Sequence, residues 1–246
     1  MDRKEVGRKR EGELVAMIKK VDQKQLGTAY HTWLQSLFHF SYANYHQPSK
    51  KFGVLRVIND DILHAGSGHD LHKHKEVEIL TYVLEGSLTH TPRQYEMKML
   101  GRGDFYYMCA GHEIEHGEFN WGDTPVRMIQ VWMVPKQKSL TPSVQYGSWN
   151  PEMKKNKWHL IASSTDDTLI NIHQDVRVWL IQLESNQTAP FEVTKGHQAY
   201  LIQLEGKSRI NEEQMKARDG LEIYEDFIEI QASEESHFML IEMALS

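Results

Sequence analysis

The chain has 246 residues, of which 40% are hydrophobic and 25% charged, a balance that excludes a wholly disordered or fibrous protein. A formal net charge of −6 offers no bulk attraction for nucleic acid or an anionic membrane surface. No apolar run nears the ~20 residues that a helical bilayer span needs, and the single cysteine, Cys109, suits a reducing compartment, read here as the cytoplasm.

Residues 1–16 carry five basic and four acidic side chains and no apolar stretch of signal-peptide type, so they read as a solvated extension. Met17 is itself a candidate start. From there the chain breaks into short β-branched and aromatic segments separated by turns. FGVLRVIND (52–60), EILTYVLEGSLTH (78–90), DFYYMCA (104–110) and VRMIQVWMV (126–134) predict strands. Residues 135–158, with Pro135, Pro142 and Pro151 among polar side chains, read as a connector. A second strand-rich run follows at 176–184, 199–210, 220–231 and 237–245. Leu84-Glu85-Gly86 recurs as Leu204-Glu205-Gly206, which predicts a duplicated β-domain. The expected division is an extension over 1–16, a first domain over 17–146 and a second over 147–246.

Histidine is the unusual component. Of the 14 in the chain, seven fall between His64 and His116. In DLHKHKEVEIL (70–80), side chains two apart share a face of an extended strand, so His72 and His74 point the same way. In HEIEHGEFN (112–120), His116 and Glu118 stand two apart in the same manner. Three imidazoles and a carboxylate suit one first-row divalent metal, with Fe(II) favoured and Ni, Cu, Mn, Co or Zn also compatible. Such a set leaves coordination positions free on a six-coordinate ion. Ordinary surface histidines are the alternative, and a lone His-x-His would not exceed it.

HKHKEVEILTYVLEG (72–86) resembles the first cupin motif, and GDFYYMCAGHEIEHGEFN (103–120) resembles the second. With HTWLQSLFHFSYANYH (31–46), FGVLRVINDD (52–61), QVWMVP (130–135) and SLTPSVQY (139–146), the chain resembles the pirin family, within it the bacterial pirin-like quercetin dioxygenases. The resemblance implies an all-β bicupin, two stacked jelly-roll-like β-barrels with few short helices, the metal lying in the N-terminal one. The family's ligand set maps onto His72, His74, His116 and Glu118, with Glu78 as a near neighbour that orients a histidine or holds a water. Lys73 between the first two histidines, and THTPRQYEMKML (89–100) in place of the family's Asp/Gly-rich loop, depart from its pattern.

The implied activity is opening of a flavonol heterocycle, such as that of quercetin, by O2, with Glu118 as base for the substrate hydroxyl. Phe105, Tyr107, Phe119 and Trp121 are candidate aromatic walls for the pocket. The alternative is a metal-bearing regulatory module that binds a protein partner, as eukaryotic pirin does; a metal-dependent hydrolase or isomerase is a third possibility. Aligning the two Leu-Glu-Gly sites puts Glu192 and Thr194 where His72 and His74 stand, so the second domain is expected to lack the metal.

Overall fold

The computed structural model describes residues 17–40, 51–224 and 226–245. The extension over 1–16 and part of the stretch over 31–46 fall outside these residues. In chain order the first strands are β1 (Met17–Val21), β2 (Gly27–Tyr30), β3 (Leu34–Phe38), β4 (Leu55–Leu63), β5 (Ser67–His74) and β6 (Glu78–Glu85). Then come β7 (Leu88–Pro92), β8 (Lys98–Leu100), β9 (Asp104–Cys109), β10 (Ile114–Asn120), β11 (Val126–Met133) and β12 (Ser143–Ser148). The remainder are β13 (His159–Ser163), β14 (Ile170–Asn171), β15 (Val176–Leu183), β16 (Thr188–Glu192), β17 (His197–Glu205) and β18 (Lys207–Ile210). The last are β19 (Glu213–Lys216), β20 (Gly220–Tyr224), β21 (Phe227–Ala232) and β22 (Ser236–Ala244). Among the described residues the helices are two short 3-10 turns, at Gln23–Gln25 and Pro151–Met153, and no helix is long and apolar enough to cross a membrane.

The chain divides into two compact units. One holds residues 24–153 and 160–177. It pairs a seven-stranded sheet, ordered β12-β9-β6-β11-β4-β3-β2, with a four-stranded sheet, ordered β5-β10-β7-β8. Ile79, Val83, Tyr106, Met108 and Met128 of the large sheet pack with Leu88, Leu100 and Ile114 of the small one. Alternation along each strand supplies this: Ile79 and Val83 are two turns of the pleat apart on one face of β6. The sheets face one another as a cupin-like sandwich rather than closing into a barrel.

The other unit is built the same way from residues 178–245, 154–159 and 17–23. Ile181, Leu201, Leu221 and Leu240, from β15, β17, β20 and β22, pack against Ile210 and Ile230 of β18 and β21. The duplication is visible in detail at the Leu-Glu-Gly sites. Gly86 and Gly206 follow β6 and β17 with φ of +76° and +80°. A Cβ would stand 2.5 Å from the Pro125 carbonyl oxygen at the first and 2.3 Å from that of Glu235 at the second. Both turns therefore demand a residue without a side chain.

The division differs from a single boundary at 146/147. Residues 17–21 pair with β20, so the first strand completes the second unit's sheet. Within 135–158, read from sequence as a connector, Ser143–Ser148 pairs along β9 and is a full strand of the first unit. Three prolines nearby masked a backbone ladder that needs only free N–H and C=O groups. In the second unit the positions matching the first histidine pair are filled differently: Glu192 and Thr194 stand there, and both are exposed.

Candidate metal centre

β5 and β10 run antiparallel in the small sheet, with His116 directly opposite His72 and Ile114 opposite His74. Side chains of directly opposed residues share a face. The sequence period of two and this register bring His72, His74 and His116 together. One ring nitrogen from each lies within 4.8 Å of the others. The ring centroids are 4.6 Å apart for His72–His116, 4.8 Å for His72–His74 and 5.0 Å for His74–His116.

The outer nitrogens of His72 and His116 are engaged. His72 Nδ1 lies 2.7 Å from the Asp70 carbonyl oxygen, and His116 Nδ1 lies 2.9 Å from His90 Nε2. His116 Nε2 is buried and has no hydrogen-bond partner among the described residues. A buried unpaired nitrogen costs on the order of 1–3 kcal/mol unless something occupies its lone pair, and a cation held by three imidazoles would do so. Burial, with His90 and His72 adding to it, holds His116 down to about 2. Burial and His72 hold His74 down to about 4. Both rings are thus neutral near pH 7, the form that ligates a metal.

Glu118 lies on the same strand and lines the same cavity, but its carboxylate is already gripped. Tyr106 donates its hydroxyl to Oε1 at 2.5 Å, and Gln130 Nε2 reaches Oε1 at 2.8 Å and Oε2 at 2.9 Å. Burial raises its proton affinity while Tyr106 and Gln130 oppose that rise. Among the described residues Gln130 is the one donor that reaches Oε2, so that oxygen keeps lone pairs for a further partner.

Glu78 does not join the site. Ile79 faces the cavity, and alternation turns Glu78 to the opposite face of β6. There Oε2 accepts from the Tyr107 hydroxyl at 2.6 Å and from the backbone N–H groups of His173 and Gln174 at 2.9 and 3.2 Å. Its role is to pin the 173–174 segment.

The cavity has a volume of about 310 Å³, within the range of small-ligand sites. Its aromatic walls are Trp33, Phe38, Tyr106 and Trp132. These replace the four aromatics expected from sequence. Phe105 and Tyr107 flank Tyr106 on β9 and so point the other way, Phe105 stacking on Tyr82 at 4.4 Å. Phe119 and Trp121 stack on one another at 5.5 Å, with Trp121 61% exposed.

Three polar groups in or behind this cavity escaped the sequence. His69 lines it because β5 carries one residue more than β10 between the His72–His116 and His69–Glu118 pairs. That bulge turns His69 to the ligand face despite its odd spacing. Asp61, on β4, lines the opposite wall, and burial, with Glu118 adding to it against a Ser36 hydrogen bond, raises it to about 7. His90, fully buried on β7, stacks on Tyr106 at 4.0 Å and stands behind His116. Of the other histidines without an assigned role, His64 meets Gln35 at 3.1 Å and His112 is exposed.

Residues 19–133 match the family model described as Pirin, and residues 160–243 match one described as the quercetinase C-terminal cupin domain. The quercetin 2,3-dioxygenase of Escherichia coli strain K12 is 32% identical over 220 residues, spanning 88% of this chain and 94% of the relative. The chain belongs to the pirin family. A pirin-like protein of Caulobacter vibrioides is 32% identical over 93% of this chain and its own full length. The crystal structure of the bacterial pirin YhhW from Escherichia coli in complex with nickel(II) superimposes with a TM-score of 0.87 at 30% identity, covering 94% of this chain and all of that one. This pirin is therefore an all-β protein of two cupin units with a candidate histidine metal site.

Proposed function

We propose that this pirin-family chain is a metal-dependent dioxygenase that opens the heterocycle of a flavonol such as quercetin with O2, releasing carbon monoxide. The observation that carries the reading is the meeting of three imidazoles and a buried carboxylate in one aromatic-walled cavity. The relatives named quercetin 2,3-dioxygenase support it. His72, His74 and His116, with Glu118 as a fourth donor, would hold one divalent ion in the first unit. Fe(II) is the ion proposed, and the nickel complex of YhhW gives weight to Ni(II) as well.

The bound ion supplies a Lewis acid that favours the ionised form of the substrate's 3-hydroxyl. The remaining work belongs to the chain. Glu118 Oε2 receives the hydroxyl proton, and Tyr106 and Gln130 keep that carboxylate in one orientation. Trp33 and Trp132 offer flat apolar walls to a planar aromatic and exclude water from it. The partners are then a small aromatic substrate and O2, and the lone buried Cys109 suits a cytoplasmic setting.

The test follows quercetin absorbance under air with protein stripped of metal and reloaded with Fe(II) or Ni(II). Consumption with the loaded protein, lost on stripping and in His72→Ala, is the expected result. A loaded protein that leaves quercetin intact would count against the enzyme.

One observation favours a second reading, a metal-bearing module that binds a protein. Leu71, Phe119 and Trp121 interleave with the ligand positions on the same two segments, and Leu71 and Trp121 are 51% and 61% exposed. Such exposure is common at contact surfaces. Metal-dependent binding without flavonol turnover would select this reading.

A further inference from the structure

Behind the candidate metal centre a hydrogen-bonded chain leads outward. His116 Nδ1 lies 2.9 Å from His90 Nε2, and His90 Nδ1 lies 3.0 Å from the Tyr146 hydroxyl. That hydroxyl in turn lies 3.4 Å from the Glu96 carbonyl oxygen. Each neutral imidazole has one N–H, and the phenol has one O–H, so the direction of the chain is constrained. A carbonyl only accepts. The Tyr146 proton therefore points to Glu96, the Tyr146 oxygen accepts from His90 Nδ1–H, and His90 Nε2 is left as an acceptor for His116 Nδ1–H.

The opposite direction has a cost. It would put the proton of His116 on Nε2, a buried atom with no acceptor in reach among the described residues. In the first direction Nε2 carries a lone pair turned towards His72 and His74. Metal binding and the outward chain thus require the same tautomer. The ring of His90 is itself fixed. It is fully buried and lies 6° from parallel with Tyr106, at 4.0 Å. Tyr106 also holds Glu118, so one stacked pair steadies two of the proposed ligands.

We propose that His90 is the positioning residue of the metal centre, the imidazole that sets the tautomer of His116 and, through Tyr146, ties that ligand to the edge of the sheet. This rests on the reading of His72, His74 and His116 as metal ligands. Hydrogen-bond partners behind a histidine ligand orient its ring and raise its basicity, and their loss typically weakens metal affinity 10- to 100-fold.

The experiment is a chelator-competition titration of the full chain with Ni(II), together with the visible absorption spectrum of the Co(II)-loaded protein. His90→Phe keeps the stack on Tyr106 and removes the acceptor. It should lose about 10- to 100-fold in Ni(II) affinity and shift the Co(II) bands. His90→Gln, which can offer an amide oxygen near the Nε2 position, should recover most of that loss. Tyr146→Phe, at the partly exposed end, should show a smaller loss, several-fold, with a Co(II) shift in the same direction. If wild-type protein binds Ni(II) and a folded His90→Phe matches it in affinity and spectrum, the proposal is overturned while the metal site stands. If His90→Phe does not fold, an unchanged Tyr146→Phe overturns the proposal in the same way. If wild-type protein takes up no Ni(II), the metal-site reading and the proposal fall together.

Discussion

His116 stands directly opposite His72 in the β5–β10 ladder, with the two rings 4.6 Å apart. The pairing joins sequence segments 44 positions apart and converts two short spacing motifs into one three-imidazole face. Everything else in the candidate site is arranged around that contact.

Glu118 is the group on which the proposed proton transfer depends. Glu118→Gln should lower quercetin turnover by about 10²- to 10⁴-fold, the span typical of a lost general base. Tyr106→Phe leaves the carboxylate in place with one donor fewer, so it should cost much less. Steady-state consumption of quercetin under air, compared at equal metal content, checks both. Equal losses in the two variants would remove Glu118 from the role of base.

Asp61 makes stability depend on pH. Its folded-state value is raised to about 7, above the ~3.9 of an unfolded aspartate. A raised carboxyl contributes stability that is complete below the unfolded value and declines as pH rises through the folded one. Metal-free wild-type protein should therefore lose stability between about pH 4 and 7, and Asp61→Asn should escape that loss. The gap in melting temperature between variant and wild type should widen in favour of the variant from pH 5 to pH 8. A gap that stays constant or narrows would contradict the placement of Asp61.

On the other face of the same strand, Asp60 accepts two hydrogen bonds from Arg127, at 2.9 and 2.6 Å, with both residues buried. Removing one partner leaves the other charged in a dry interior, which typically costs ~3–5 kcal/mol. Asp60→Asn should fall in that range by urea unfolding. A double replacement, Asp60→Leu with Arg127→Met, should recover a large part of the loss, because a buried pair is often worth little more than apolar packing.

Gly86 sits at φ +76° with the Pro125 carbonyl oxygen 2.5 Å from where a Cβ would stand. Gly86→Ala should destabilise the first unit by more than the ~1 kcal/mol that a compatible glycine site would gain. Gly206→Ala should do the same in the second unit, where the clash is with Glu235. Thermal unfolding of both variants compares the duplicated turns directly.

The candidate trio was legible in part: the period of two along a strand puts His72 with His74 and His116 with Glu118, whereas the family resemblance, not spacing, joined the two segments. Leu-Glu-Gly was legible as a repeat because both turns need a left-handed residue. What stayed hidden depends on register and bulges. His69 reaches the cavity through one extra residue in β5, which no spacing rule reports. His90 backs His116 only because β7 pairs with β10, Glu118 opposite His90. The same parity explains the displaced aromatics: Tyr106 faces the cavity, so its neighbours Phe105 and Tyr107 cannot. Glu78 fails by one position for the same reason, since Ile79 holds the inward place. That β1 joins the second unit stayed hidden because its hydrogen-bond partner, β20, lies some 200 residues away in sequence.

His72, His74 and His116 are proposed to hold one metal ion together. The most direct test is the metal content of the purified chain after Ni(II) loading and exhaustive dialysis, measured beside His72→Ala and His116→Ala. One ion per wild-type chain and close to none in either variant is the expected result, with all three proteins folded. Equal metal content in the variants and the wild type would contradict the proposal.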